Sequence, residues 1–93
     1  MPPRLSSQQI NERLSSLPEW QQQDQQIVRT FTLPSFPAAL VFAVAAGQLA
    51  ERADHHPDIL ITYRKVTLTL STHSAGGLTQ QDFDLAAAIE GIV

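Results

Sequence analysis

Between Asp58 and Ser71 the chain alternates twice, with Ile59, Ile61 and Tyr63 in one run and Val66, Leu68 and Leu70 in the next. A period of two puts each apolar set on one face of a β-strand, and so short an interval permits only antiparallel pairing. A two-residue turn at Arg64-Lys65 predicts Tyr63 opposite Val66, Ile61 opposite Leu68 and Ile59 opposite Leu70. The same register sets His56 opposite His73, on the other face from those apolar pairs. Neither turn residue is favoured in a tight hairpin, so the turn is its least specified part. A four-residue loop would keep the register; an odd-length one would break it.

The rest of the chain supplies partners for this hairpin. Gln26 to Leu33 alternates as well, with Ile27, Arg29, Phe31 and Leu33 facing one way and Val28, Thr30 and Thr32 the other. The polar stretch Glu19 to Asp24, around Trp20, reads as a weak edge strand. A first helix is expected from Ser6 to Leu17, opened by a Ser6/Gln9 capping box, carrying Ile10, Leu14 and Leu17, and stopped by Pro18. A second runs from Phe36 to about Ala53, with Ser35 as N-cap and Pro37 tolerated in its first turn.

A third helix follows Gly76-Gly77, with Thr79 as N-cap, Asp82 at the third helical position and a Leu78/Phe83 staple. Phe83, Ala86, Ala87 and Ile89 form its buried side, and Gly91 ends it. The order α-β-β-α-β-β-α implies an α+β fold of two layers, a four-stranded antiparallel sheet with helices on one face. Its 93 residues form a single domain, 1–93.

Composition narrows the function classes. Six basic residues against nine acidic ones are scattered without a run to neutralise phosphates, so no direct nucleic acid partner is expected. With no cysteine, disulfides, thiolate chemistry and Cys-based metal sites are excluded. The apolar run from Phe36 to Ala46 is far shorter than the ~20 residues that span a bilayer, so no membrane partner is expected either. Met1-Pro2-Pro3-Arg4 leads into Ser and Gln rather than an apolar leader, which places the protein in the cytoplasm. The second helix is apolar nearly all round: Phe36, Leu40 and Val44 on one side, Phe42, Ala45, Ala46 and Leu49 on the other. One sheet cannot cover both sides in so short a chain, and a homodimer or homotetramer is the expected cover.

All three histidines, His55, His56 and His73, fall at the two ends of the predicted hairpin. Imidazole both gives and takes protons near neutrality. Pro57 holds His56 extended, so its neighbour His55 points elsewhere and the two contact different edges of a ligand. Three histidines can also hold a zinc ion, but splayed neighbours suit a common ion poorly and no H-x-H or H-E-x-x-H spacing is present; no metal or cofactor is expected. Ser71 and Ser74 lie near His73 without any nucleophile-elbow pattern.

Glu51, His55-His56-Pro57, Tyr63, Ser71-Thr72-His73, Gly76-Gly77-Leu78-Thr79 and Asp82, in this order and spacing, resemble the signature of the pterin-4a-carbinolamine dehydratases. Upstream, Trp20, Arg29-Thr30-Phe31 and Phe36 are also similar, whereas Ile59 stands where some members carry tryptophan. The resemblance implies dehydration of a 4a-hydroxytetrahydrobiopterin-type carbinolamine to quinonoid dihydropterin, a small-molecule substrate, in recycling the cofactor of aromatic amino acid hydroxylases. It implies His55 and His73 as the acid/base pair, with His56 holding the pterin; the hairpin register leaves His56 and His73 as an alternative pair. Pro57 would shape the pocket wall, Thr72, Ser74 and Ala75 would meet the polar pterin edge, and Trp20 would cover the ring. Glu51, one helical turn before His55, is spaced to orient that imidazole, while Asp82 is already explained as a helix cap. Because some family members act as dimerisation cofactors or assembly partners, a non-catalytic role for the apolar second helix is the competing expectation.

Overall fold

The computed structural model describes residues 3–93; Met1 and Pro2, the start of the segment read as free of a leader, lie outside them. Its elements are α1 (Ser7–Leu14), β1 (Gln21–Gln23), β2 (Gln26–Thr32), α2 (Phe36–Ala53), β3 (Asp58–Thr62), β4 (Lys65–Leu70), a 3₁₀ turn (His73–Ala75) and α3 (Gln80–Glu90). The α-β-β-α-β-β-α order and the four-stranded antiparallel sheet are those expected, with strand order β1-β2-β4-β3.

Strand β4 sits inside the sheet because it is the most regularly alternating segment. Val66, Leu68 and Leu70 all point at the helices and are fully buried. Opposite them β2 sets Phe31 against Val66 and Ile27 against Leu70. Burying each such side chain contributes about 1.5–3 kcal/mol, which pins the register of the central pair. The other face carries Thr30 and Thr67, whose hydroxyls meet at 2.9 Å.

The β3–β4 hairpin differs from expectation by two residues. Its turn is Tyr63-Arg64, so Thr62 pairs with Lys65, Ile61 with Val66 and Ile59 with Leu68. A shift by two preserves every face, which is why the apolar sets still meet. Tyr63 had the apolarity of a strand residue, but it occupies the turn at φ 56° with its ring exposed beside the Arg64 guanidinium. The ladder ends at Asp58 opposite Thr69, before either histidine, so His56 and His73 are not a cross-strand pair.

Three smaller departures concern the helices. α1 opens on the expected Ser6/Gln9 box but stops at Leu14; Leu17 is buried all the same, from the turn that follows. In α3 the buried side includes Leu85, and Ala87 is exposed. Gly91 follows α3 at φ −69°, so its capacity for left-handed backbone is unused. α2 lies close on the sheet through the small residues Ala39, Ala43, Ala46 and Ala50 together with Phe42. Its far side, Phe36, Leu40, Val41 and Val44, is 41–69% exposed, leaving an uncovered apolar stripe. No helix of the described residues is long and apolar enough to cross a membrane.

Candidate active site

α2 ends in a way that aims His55. Asp54 takes the left-handed conformation, φ 50° and ψ 44°, which aspartate tolerates better than most residues. The Asp54 amide bonds back to the Glu51 carbonyl at 3.2 Å and the His55 amide to the Ala50 carbonyl at 3.1 Å, the two bonds of a Schellman closure. The reversal sends His55 inward, 8% exposed, while His56 stays in solvent and Pro57 leads into β3.

A second tight loop brings His73 to the same place. After β4, Thr72 bridges to Gly77: its amide donates to the Gly77 carbonyl at 2.9 Å and its carbonyl accepts from the Gly77 amide at 3.3 Å. Between them the 3₁₀ turn projects His73 and Ser74 outward, and Gly76 at φ 70° turns the chain back. A Cβ at Gly77 would stand 2.6 Å from the Arg4 side chain and 2.8 Å from Gln25 Oε1, so glycine lets both side chains lie close over this loop.

The two loops enclose an open cleft of about 310 Å³ lined by His55, His56, Thr72, His73, Ser74 and Gln81, among others. A groove of about 360 Å³ between α2 and α3 is larger but is lined chiefly by Leu49, Ala53, Leu85 and Ala88 and holds no histidine. Chemistry therefore selects the histidine cleft over the larger groove.

Under the cleft lies a buried polar network. His55 Nε2 is 2.6 Å from Asp82 Oδ1, and the Asp82 side chain is fully buried. Asp82 Oδ2 accepts from the Thr72 hydroxyl at 2.8 Å and from the Thr79 amide at 2.9 Å. Thr72 and Thr79 hydroxyls meet at 2.8 Å, and no buried side-chain polar atom among the described residues lacks a partner. As a carboxylate, Asp82 only accepts. Nε2 of His55 must then carry its hydrogen toward Asp82, which leaves Nδ1 of the neutral ring as an acceptor.

The acidic partner of His55 is thus Asp82 and not Glu51, to which the spacing pointed. Glu51 pairs with His56, not His55: His56 Nε2 donates to Glu51 Oε1 at 2.8 Å, with both side chains mostly exposed. Such a pair contributes about 0–1 kcal/mol and orients His56 loosely. Asp82 caps α3 as expected and, beyond that expectation, holds His55. Its contact with His55 left no local trace, because the two are far apart in the chain and meet only through packing of α2 on α3.

The remaining expected residues divide. Ser74 faces the cleft, whereas Pro57 and Ala75 are half-buried beside it and do not line it. Thr72 lines it, but its hydroxyl and both backbone groups are engaged within the protein, which leaves it nothing to offer a ligand edge. Trp20 is a correction: it is 3% exposed, packs edge-on to Phe31, and donates its indole N–H to Glu90 at 3.0 Å. Glu90 also pairs with Arg29, so this indole belongs to the core and cannot cover a ring in the cleft. Gln81, which does line the cleft, was missed; its position beside the Thr79 cap was the available signal. Among the described residues no group of three potential ligands is placed to hold a metal ion.

Residues 3–92 match the family model described as pterin 4 alpha carbinolamine dehydratase. A provisionally named pterin-4-alpha-carbinolamine dehydratase of Roseiflexus sp. strain RS-1 is 57% identical over 93 residues, covering 100% of both chains. One of Chloroflexus aurantiacus strain J-10-fl, also provisionally named, is 54% identical over 91 residues and 98% of both chains. Among solved structures, a transcriptional coactivator/pterin dehydratase from Brucella melitensis superposes with a TM-score of 0.91 at 37% identity, covering 96% of this chain and 97% of that one. A pterin dehydratase-like protein described as a RuBisCO assembly factor in the alpha-carboxysome shares the fold, with a TM-score of 0.64 at 22% identity over 78% of this chain and 84% of that one.

Proposed function

Because the chain belongs to the pterin-4-alpha-carbinolamine dehydratase family, we propose that it dehydrates a 4a-hydroxytetrahydrobiopterin-type carbinolamine to the quinonoid dihydropterin by histidine acid/base catalysis. The observation that carries this reading is the meeting of His55, His56 and His73 around one open cleft. The reaction needs a proton delivered to the C4a hydroxyl oxygen and another removed from the ring N–H. As the C4a–O bond breaks, the N–H electron pair forms the new C=N bond, and water leaves. Two imidazoles of opposite protonation suffice, and the proton taken by one is returned to the other through solvent.

The geometry supports a division of roles. His55, with Nε2–H committed to Asp82, offers Nδ1 as the base for the ring N–H. His73, on the exposed turn, is the acid that protonates the leaving oxygen. His56, loosely tethered by Glu51, holds the polar pterin edge together with Ser74. The chemistry places this step after a hydroxylase that leaves oxygen on C4a, in recycling a tetrahydropterin cofactor. Stopped-flow absorbance with chemically generated 4a-carbinolamine tests it: the protein should accelerate decay to the quinonoid form, and decay at the buffer rate refutes the reading.

The open stripe on α2 favours a second, compatible reading, association through that helix. Phe36, Leu40, Val41 and Val44 suit a second copy of the chain, giving a homodimer or homotetramer, or else an assembly partner of a non-catalytic role. Val41→Glu/Val44→Glu should convert an oligomer to monomer in sedimentation velocity at micromolar concentration. A parent protein that already sediments as a monomer there removes the self-association reading.

A further inference from the structure

We propose that Thr72 is a positioning residue whose hydroxyl sets His55 and His73 relative to each other by acting through Asp82, not on substrate. The inference rests on the dehydratase reading for its catalytic consequence, while the hydrogen-bond coupling itself stands on geometry.

The proton directions follow by elimination. Asp82 Oδ2 cannot donate, so the single Thr72 hydroxyl hydrogen points to it across 2.8 Å. The contact between Thr72 and Thr79 at 2.8 Å must then use the hydrogen of Thr79, whose oxygen in turn accepts from the Gln81 amide at 3.3 Å. The result is a directed chain, Thr79 to Thr72 to Asp82, met from the other side by His55 Nε2–H at 2.6 Å. Thr72 is 4% exposed and Thr79 and Asp82 are fully buried, so water cannot replace a lost donor.

Capping alone does not require this hydroxyl. The Thr79 amide already reaches Asp82 Oδ2 at 2.9 Å and closes the helix cap. What the Thr72 hydroxyl adds is a link between two loops. Thr72 is locked to Gly77 by both backbone groups and directly precedes His73, so its bond to Asp82 ties the His73 turn to the carboxylate that holds His55. One hydrogen bond thereby fixes the carboxylate plane and the separation of the two imidazoles.

Thr72→Val removes the hydroxyl and keeps the shape. It should lower kcat about 10–100-fold with KM within about twofold of the parent, because alignment of the proton-transfer groups is lost and ligand contacts are not. Thr72→Ser should restore kcat to within a few-fold. In ¹⁵N-histidine NMR, His55 of the parent and of Thr72→Ser should show the same Nε2–H signal, and Thr72→Val should shift that signal as the released carboxylate reorients and changes the 2.6 Å bond to the ring, with the hydrogen still on Nε2. Should valine prevent folding, Thr72→Ala is read in the same way. Unchanged kcat in the valine variant, equal defects in serine and valine, or unmoved His55 signals would each overturn the proposal. The NMR result does not require turnover, so a parent without dehydratase activity is told apart from a Thr72 without influence on His55.

Discussion

His55→Gln is expected to lower turnover of the carbinolamine by ~10²–10⁴-fold while leaving circular dichroism native. Glutamine is chosen because its amide can donate to Asp82 Oδ1 in place of the imidazole, so the buried carboxylate keeps a partner. What it cannot do is accept and release a proton at neutral pH. His73→Ala should lose a comparable factor with no cost in stability, since His73 sits exposed on the 3₁₀ turn. The two losses should not add: once either proton path is gone, the other imidazole has little left to assist. His56→Ala should raise KM more than it lowers kcat, because its Glu51 tether suits it to binding. Full turnover in both His55→Gln and His73→Ala would end the acid/base assignment.

The largest effect on stability is expected from Asp82→Ala. Its carboxylate is the acceptor for three buried donors: His55 Nε2–H, the Thr72 hydroxyl and the Thr79 amide. Truncation leaves all three without a partner and removes the Asp82 half of the α3 capping box, at a cost of about 3–5 kcal/mol. For a domain of this size each kcal/mol moves the midpoint by roughly 4–8 °C, so thermal denaturation should fall by more than ~12 °C. Asp82→Asn keeps the shape and one accepting oxygen but presents an NH₂ to a donor, and should lose about 1–3 kcal/mol. A shift of only a few degrees in Asp82→Ala would show that the network contributes little to stability. Turnover of Asp82→Asn, read below its midpoint, should also fall, since the His55 tautomer is no longer imposed.

Much of this site was legible before any tertiary contact was known, for reasons that differ by residue. His55 and His56 were separable because Pro57 constrains its predecessor and an extended chain splays adjacent side chains. Thr79 with Asp82 announced a helix start through the capping box, a contact made within one turn. Trp20 was misplaced because an indole in a polar stretch reads equally as a ligand cover or a core residue; the acceptor at Glu90 that decides the matter comes from the far end of the chain. The hairpin turn lies one residue earlier than the alternation predicts, which moves the register by two, because counting Tyr63 as a strand residue is correct for its apolarity and wrong for its backbone, which is left-handed.

What the linear order of residues determined by itself is everything that depends on neighbours: periods of two and 3.6, the caps, the element order, and which face of each strand is apolar. Those properties arise from contacts a few positions apart, so they survive in any fold the chain adopts. Only the tertiary structure decided which acid serves which histidine. Glu51 is near His55 along the chain, yet the left-handed turn at Asp54 rotates His55 away from it and onto Asp82. That choice depends on how α2 and α3 pack over the sheet, where a buried carboxylate must collect every available donor, and such a requirement acts through space with no period to betray it.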